Sequence, residues 1–209
     1  MYNLLTIDEL IRYEHYYLEE GDNCTYLMEY VPKSRDHVES LIMNFKKKMD
    51  REGKPDWGYK KKAIEQIADI LQESVPAFEE PDTILVPIPP SKRKDHPMYD
   101  DRGIRLLNLF AQKRQHADVR EIISVLESID ASHDLENRPA PDAIRANLVV
   151  DENLCTNSKP KIILVDDVIT AGSHFKACQS ILQPFFPDSI ISGLFIARRA
   201  VRNFQFRLP

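Results

Sequence analysis

The chain is short of several things: its 209 residues include six glycines, three cysteines and one tryptophan. It also has no apolar run near the roughly 20 residues that a membrane-spanning helix requires, so a soluble protein is expected. Cys24, Cys155 and Cys178 form no CxxC pair and leave one thiol over however they are paired, which excludes a disulfide framework and a four-thiolate zinc site. The histidines show neither HExxH nor HxxxH spacing, and no GxxxxGK[ST] run marks a phosphate-binding P-loop. Positive charge is not in surplus either. Asp and Glu total 33 against 28 Lys and Arg, a net charge of -5, so no global field recruits nucleic acid. The opening segment MYNLLTIDELIRYEHYY lacks the basic leader and apolar stretch of a secretory signal, and a cytoplasmic location is expected.

What is present reads as alternating helix and strand. Val38, Leu41, Ile42, Phe45 and Met49 keep helical spacing over 36–51, with Ser34 or Asp36 available as an N-cap. After the breaker EGKPDWGY, the residues Ile64, Ile67, Leu71 and Val75 resume the same period. TILVPIPP (83–90) reads as a buried strand ending at paired prolines, 101–111 as a helix, and VREIISVLES (119–128) as a further strand. Residues 130–147 carry no sustained period and are expected to form a long surface loop, followed by NLVV, KIILV, a helix bearing Phe175, Cys178 and Leu182, and SIISGLFIA. This order predicts an α/β fold with a mostly parallel sheet flanked by helices. Residues 1–80 are expected to form an amino-terminal helical hood and 81–209 the core, the two making one compact unit.

The most informative stretch is IILVDDVITAGS (162–173). Ligands of parallel sheets sit beyond the carboxyl ends of the strands, so the acids following IILV fall at the rim. Gly172 allows backbone N–H groups to converge on an anion, and Thr170 and Ser173 add hydroxyl donors. Two acids beside an anion cup need a partner of their own, and the adjacent hydroxyls of a sugar or a bound divalent cation would suit them. A sugar phosphate meets both demands.

VDDVITAGS resembles the phosphoribosyl pyrophosphate (PRPP) motif of type I phosphoribosyltransferases. That resemblance implies a PRPP site formed by Asp166, Asp167, Val168, Ile169, Thr170, Ala171, Gly172 and Ser173, with the two aspartates on the ribose hydroxyls and 170–173 around the 5-phosphate. VPIPPSKRKDHPMYDDRGIRLL (86–107) is similar to the strand, basic loop and RG-containing helix start of the competence-protein F (ComF)-like branch, near the amidophosphoribosyltransferases. By that likeness Pro89, Pro90, Ser91, Lys92 and Arg93 would hold pyrophosphate, and Arg145, in a segment resembling the end of a flexible catalytic loop, would take part in catalysis. The implied activity is transfer of a phosphoribosyl group from PRPP to a small nitrogenous acceptor, with Mg²⁺ held mainly by the substrate. A homodimer is compatible with this reading. The four-cysteine module of ComF-like proteins and the amino-terminal cysteine of a glutaminase are both missing, which disfavours glutamine-dependent amidotransfer. Thr170, where purine-salvage relatives carry an aspartate base, disfavours hypoxanthine or guanine salvage.

Two further features have ordinary explanations. Cys178 falls on the apolar stripe of its helix and is expected to be inert. Residues 41–62 hold eight Lys or Arg against three Asp or Glu, including the triplets 46–48 and 60–62. Solvated helix faces account for them, and a nucleic-acid-binding face, as in a PRPP-sensing or DNA-transaction accessory protein, is the alternative.

Overall fold

The computed structural model describes residues 2–75, 81–114, 117–129 and 139–200. In chain order its elements are β1 (Leu5–Thr6), α1 (Glu9–Arg12), β2 (Cys24–Tyr30), α2 (His37–Phe45), α3 (Gly58–Ser74), β3 (Thr83–Pro87), α4 (Arg102–Gln112), β4 (Asp118–Val119), β5 (Ile123–Val125), α5 (Pro141–Arg145), β6 (Leu148–Val150), β7 (Lys161–Ile169), α6 (Ser173–Leu182) and β8 (Ile190–Arg199). Among the described residues no helix is long and apolar enough to cross a membrane.

The fold is α/β. β3, β7 and β8 are β-branched runs buried on both faces, as the inner strands of a covered parallel sheet must be. They pair in parallel, with Ile84 opposite Ile162 and Val165 opposite Leu194, in the six-strand order β1-β2-β8-β7-β3-β4. Only β1, at one edge, is antiparallel. One face packs Ile163, Val165, Leu194 and Ile196 against apolar residues of α2, α3 and α4. The other packs Ile162, Leu164 and Phe195 against α6 and against a separate two-stranded antiparallel sheet, β5 with β6.

Several expectations change. VREIISVLES is not one strand: 118–119 joins the main sheet, and 123–125 pairs with β6. The chain leaves β3 after Arg120, whose N–H donates to the Leu85 carbonyl, and meets the β6 segment at Ile122, whose carbonyl accepts from the Asp151 N–H. NLVV likewise belongs to the small sheet. Within the expected 130–147 loop, residues 139–147 contain α5, started by Pro141 at its first position and too short to show a period; 130–138 lie outside the described residues. α2 begins as expected, with the Asp36 carboxylate accepting from the Glu39 N–H at 2.8 Å, but it stops at Phe45. There the Lys60 ammonium takes the terminal carbonyls of Phe45 (3.0 Å) and Lys47 (2.9 Å), and Met49 falls in a separate 3₁₀ turn. Within the expected amino-terminal hood region, CTYLMEYV (24–31), whose sequence reads as a possible outlying strand, does form one. β2 is an integral strand beside β8, and α2 and α3 cover a face of the sheet.

Candidate functional site

β3 leads through α4 to β4 on one side of the sheet, while β7 leads through α6 to β8 on the other, so the order reverses between β3 and β7. At such a reversal the two connections part and leave a crevice at the strand ends. A cavity of about 430 Å³ opens there, lined on the β3 side by Ile88–Ser91 and on the β7 side by Asp166–Val168, Thr170 and Ser173.

β7 does not end before the acids, as the expected acidic turn required; it runs through them to Ile169. Successive strand residues point to opposite faces, and Asp166 and Asp167 obey that rule. Asp167, only 5 % exposed, lies on the α2–α4 side. Its Oδ1 accepts from Lys46 Nζ at 2.8 Å, and its Oδ2 from Arg102 Nη2 at 2.6 Å and Nε at 3.1 Å. Arg102 Nη1 also reaches Asp100 Oδ2 at 2.5 Å, which in turn holds Lys60 Nζ at 2.8 Å. This chain of five charges ties α2, α3, α4 and β7 together beneath the rim. Burial alone would raise the Asp167 carboxyl, but Lys46 and Arg102 outweigh it and hold Asp167 well below the usual carboxylate range.

Asp166 faces the α6 side, where its charge helps to raise the Cys178 thiol. It has no ion pair among the described residues, and Oδ1 accepts only the Asp167 N–H at 2.7 Å. Burial first, and the adjacent Asp167 charge second, push its carboxyl upward. Both aspartates line the cavity, but Asp167 is engaged by Lys46 and Arg102 while Asp166 has no ion pair among the described residues.

The turn begins at Thr170. Gly172 sits at φ +87°, a conformation side chains rarely adopt, and is the N-cap of α6. Thr170 and Ser173 line the cavity. Ser173, 4 % exposed as a residue, is the first residue of α6. Ile169 and Ala171 are buried outside the cavity wall, and Gly172 backs onto Leu18.

Of the residues expected on pyrophosphate, Pro89, Pro90 and Ser91 line the cavity and Lys92 and Arg93 do not. The Arg93 guanidinium is gripped by both oxygens of Asp95, at 3.1 and 3.0 Å, and gives Nη1 to the Leu126 carbonyl. Arg145 is exposed at the end of α5 and away from the lining, although its neighbours Ile144 and Asn147 belong to it. The cations on the lining are instead Lys46 and Arg102. Arg102 opens the RG helix start; Lys46 was concealed in a triplet that reads as solvated surface. Of the six triplet lysines only Lys60 is buried, on Asp100; Lys47 is half-buried against Asp56 at 3.1 Å, and Lys46, although paired with Asp167, is exposed, as are Lys48, Lys61 and Lys62. Cys178 is buried and its thiol is raised, first by burial, as expected of an inert cysteine.

No protein-family model matches the chain, and a search of curated proteins returns no match.

Proposed function

We propose that this cavity binds PRPP and that the protein transfers its 5-phosphoribosyl group to a small nitrogenous acceptor, releasing pyrophosphate. The observation that carries the reading is the pair of hydroxyl residues Thr170 and Ser173, which line the cavity together with Asp166 where a ten-residue helix begins. A phosphate in the cavity accepts from these hydroxyls and from the turn's N–H groups at once. The helix dipole contributes roughly 0.3–1 kcal/mol to an anion there, and each charge-assisted hydrogen bond about 1.5–3 kcal/mol, so the donors dominate.

In this reading Asp166 alone accepts from the ribose hydroxyls, and its charge faces the positive charge that grows at the anomeric carbon as the pyrophosphate leaves. The leaving group lies against Ser91 and the two lining cations, Lys46 and Arg102, which Asp167 and Asp100 hold in place. Among the described residues no cluster of three or more His, Cys, Asp or Glu could hold a metal. Mg²⁺ would enter with the substrate, bound to donor phosphate oxygens.

The test is pyrophosphate release from Mg-PRPP across a panel of bases, ammonia and amino compounds. Turnover with one acceptor, abolished in Asp166→Asn, is expected. Binding of Mg-PRPP with no release for any acceptor would leave a PRPP-sensing protein, and no binding would remove the reading altogether.

A further inference from the structure

The turn at 170–172 does not hold its shape alone. Both of its first two carbonyls are taken by an amino-terminal segment more than 150 residues away in sequence. The Thr170 carbonyl accepts from His15 Nδ1, and the Ala171 carbonyl accepts from the Tyr17 N–H at 3.0 Å. Leu18 lies against Gly172 so closely that a Cβ there would meet Leu18 Cδ2 at 3.0 Å. Farther along, Lys176 of α6 pairs with Glu19 at 2.9 Å and Asp22 at 3.0 Å, and Gln179 donates to Asp22 at 3.1 Å. None of His15, Tyr17 or Leu18 lines the cavity, so these carbonyls are drawn to the side away from it.

His15 is 0 % exposed, and a carbonyl can only accept, so Nδ1 carries the proton. Nε2 is then a bare acceptor, buried and with no partner among the described residues. An imidazole with one orphaned nitrogen is a poor choice for packing alone; its contribution here is the bond from Nδ1. From this we infer that residues 14–22 form a strap that sets the backbone of the anion-binding turn, with His15 as the positioning residue. The strap turns the carbonyl oxygens of Thr170 and Ala171 away from the ligand, so that an incoming phosphate meets N–H groups and the Ser173 hydroxyl. This deepens the phosphate-site reading above and rests on it for the ligand, but the strap's effect on the turn can be read without any ligand.

The experiment compares His15→Phe, which keeps a ring and loses the donor, with His15→Asn, which keeps a donor at the Nδ1 position and loses the ring. Amide exchange at Gly172 and Ser173 is followed by NMR, and inorganic phosphate and then Mg-PRPP are titrated onto the same signals. Loss of one hydrogen bond predicts about tenfold faster exchange and about tenfold weaker phosphate binding in His15→Phe, with His15→Asn within about threefold of wild type. Should His15→Phe match wild type, or His15→Asn fall as far as His15→Phe, the strap has no such role. Lys176→Met, which unpins the strap at α6, provides a variant that leaves the core intact and is expected to raise the same exchange rates; unchanged rates would overturn the inference. If exchange follows this order while Mg-PRPP moves no signal in wild type, the strap stands and the PRPP reading fails.

Discussion

Asp166 and Asp167 are adjacent in sequence and opposite in role. Asp167 is the seat of Lys46 and Arg102, so replacing it strands two cations near the sheet. Asp167→Asn is expected to cost about 3 kcal/mol, at the lower end for breaking a buried ion pair, because Arg102 keeps Asp100. Asp166→Asn removes a carboxylate that burial and its neighbour both disfavour in ionised form, so it should leave the melting temperature unchanged or higher. Thermal denaturation of the two variants checks this; equal losses would mean that the two acids share one environment. His15 adds a pH dependence. Burial first, and Arg198 with it, keep its imidazole below the ordinary value against the opposing Thr170 bond and Glu14. As pH falls the unfolded chain takes the proton first, so the stability that His15 provides is intact above about 6.5 and is lost below it. The melting-temperature advantage of wild type over His15→Asn should therefore shrink on moving from about pH 7.5 to 5.5, and a constant difference would contradict the assignment.

At the level of elements, the strands and helices that bury a full apolar face were legible, because their periods of two and 3.6 residues are imposed by burial. β3, β7, β8, α3 and α4 fall where TILVP, IILV, SIISGLFIA, the Ile64–Leu71 stripe and the Ile104–Phe110 stripe put them. Boundaries set by distant groups were not legible. The end of α2 is fixed by Lys60, fifteen residues on from Phe45, and the length of β7 by pairing that continues to Ile169 opposite Arg198. β8 carries a test of its packing. A Cβ on Gly193 would lie 2.8 Å from Phe195, 3.0 Å from Cys24 Sγ and 3.1 Å from Phe175, three buried side chains that fix how α6 and β2 meet β8. Gly193→Ala should cost about 1–3 kcal/mol, or about 2–4 °C of melting temperature per kcal/mol, and a neutral outcome would show the contact to be looser than this.

For the molecule as a whole, a mostly parallel sheet with its order reversing at β3 and β7 brings two distant segments, 88–91 and 166–173, to one cavity. That pairing could be read from the two motifs, since each follows a buried strand and so lies at the same end of the sheet. The cationic part of the site was not accessible in that way. Arg93 stood next to the right strand but is held by Asp95, Lys92 is not on the cavity lining, and Lys46 and Arg102 are brought in by three-dimensional packing. His15 was hidden for the same reason, because its partner at Thr170 is 155 residues away. The account depends on a phosphorylated pentose occupying the crevice with its diol on Asp166 and its phosphate on Thr170 and Ser173. Calorimetric titration of Mg-PRPP into wild type and Asp166→Asn measures that most directly. Saturable one-to-one binding in wild type, weakened at least about tenfold in the variant, is the predicted result, and absence of binding in wild type or equal affinity in the two proteins would contradict it.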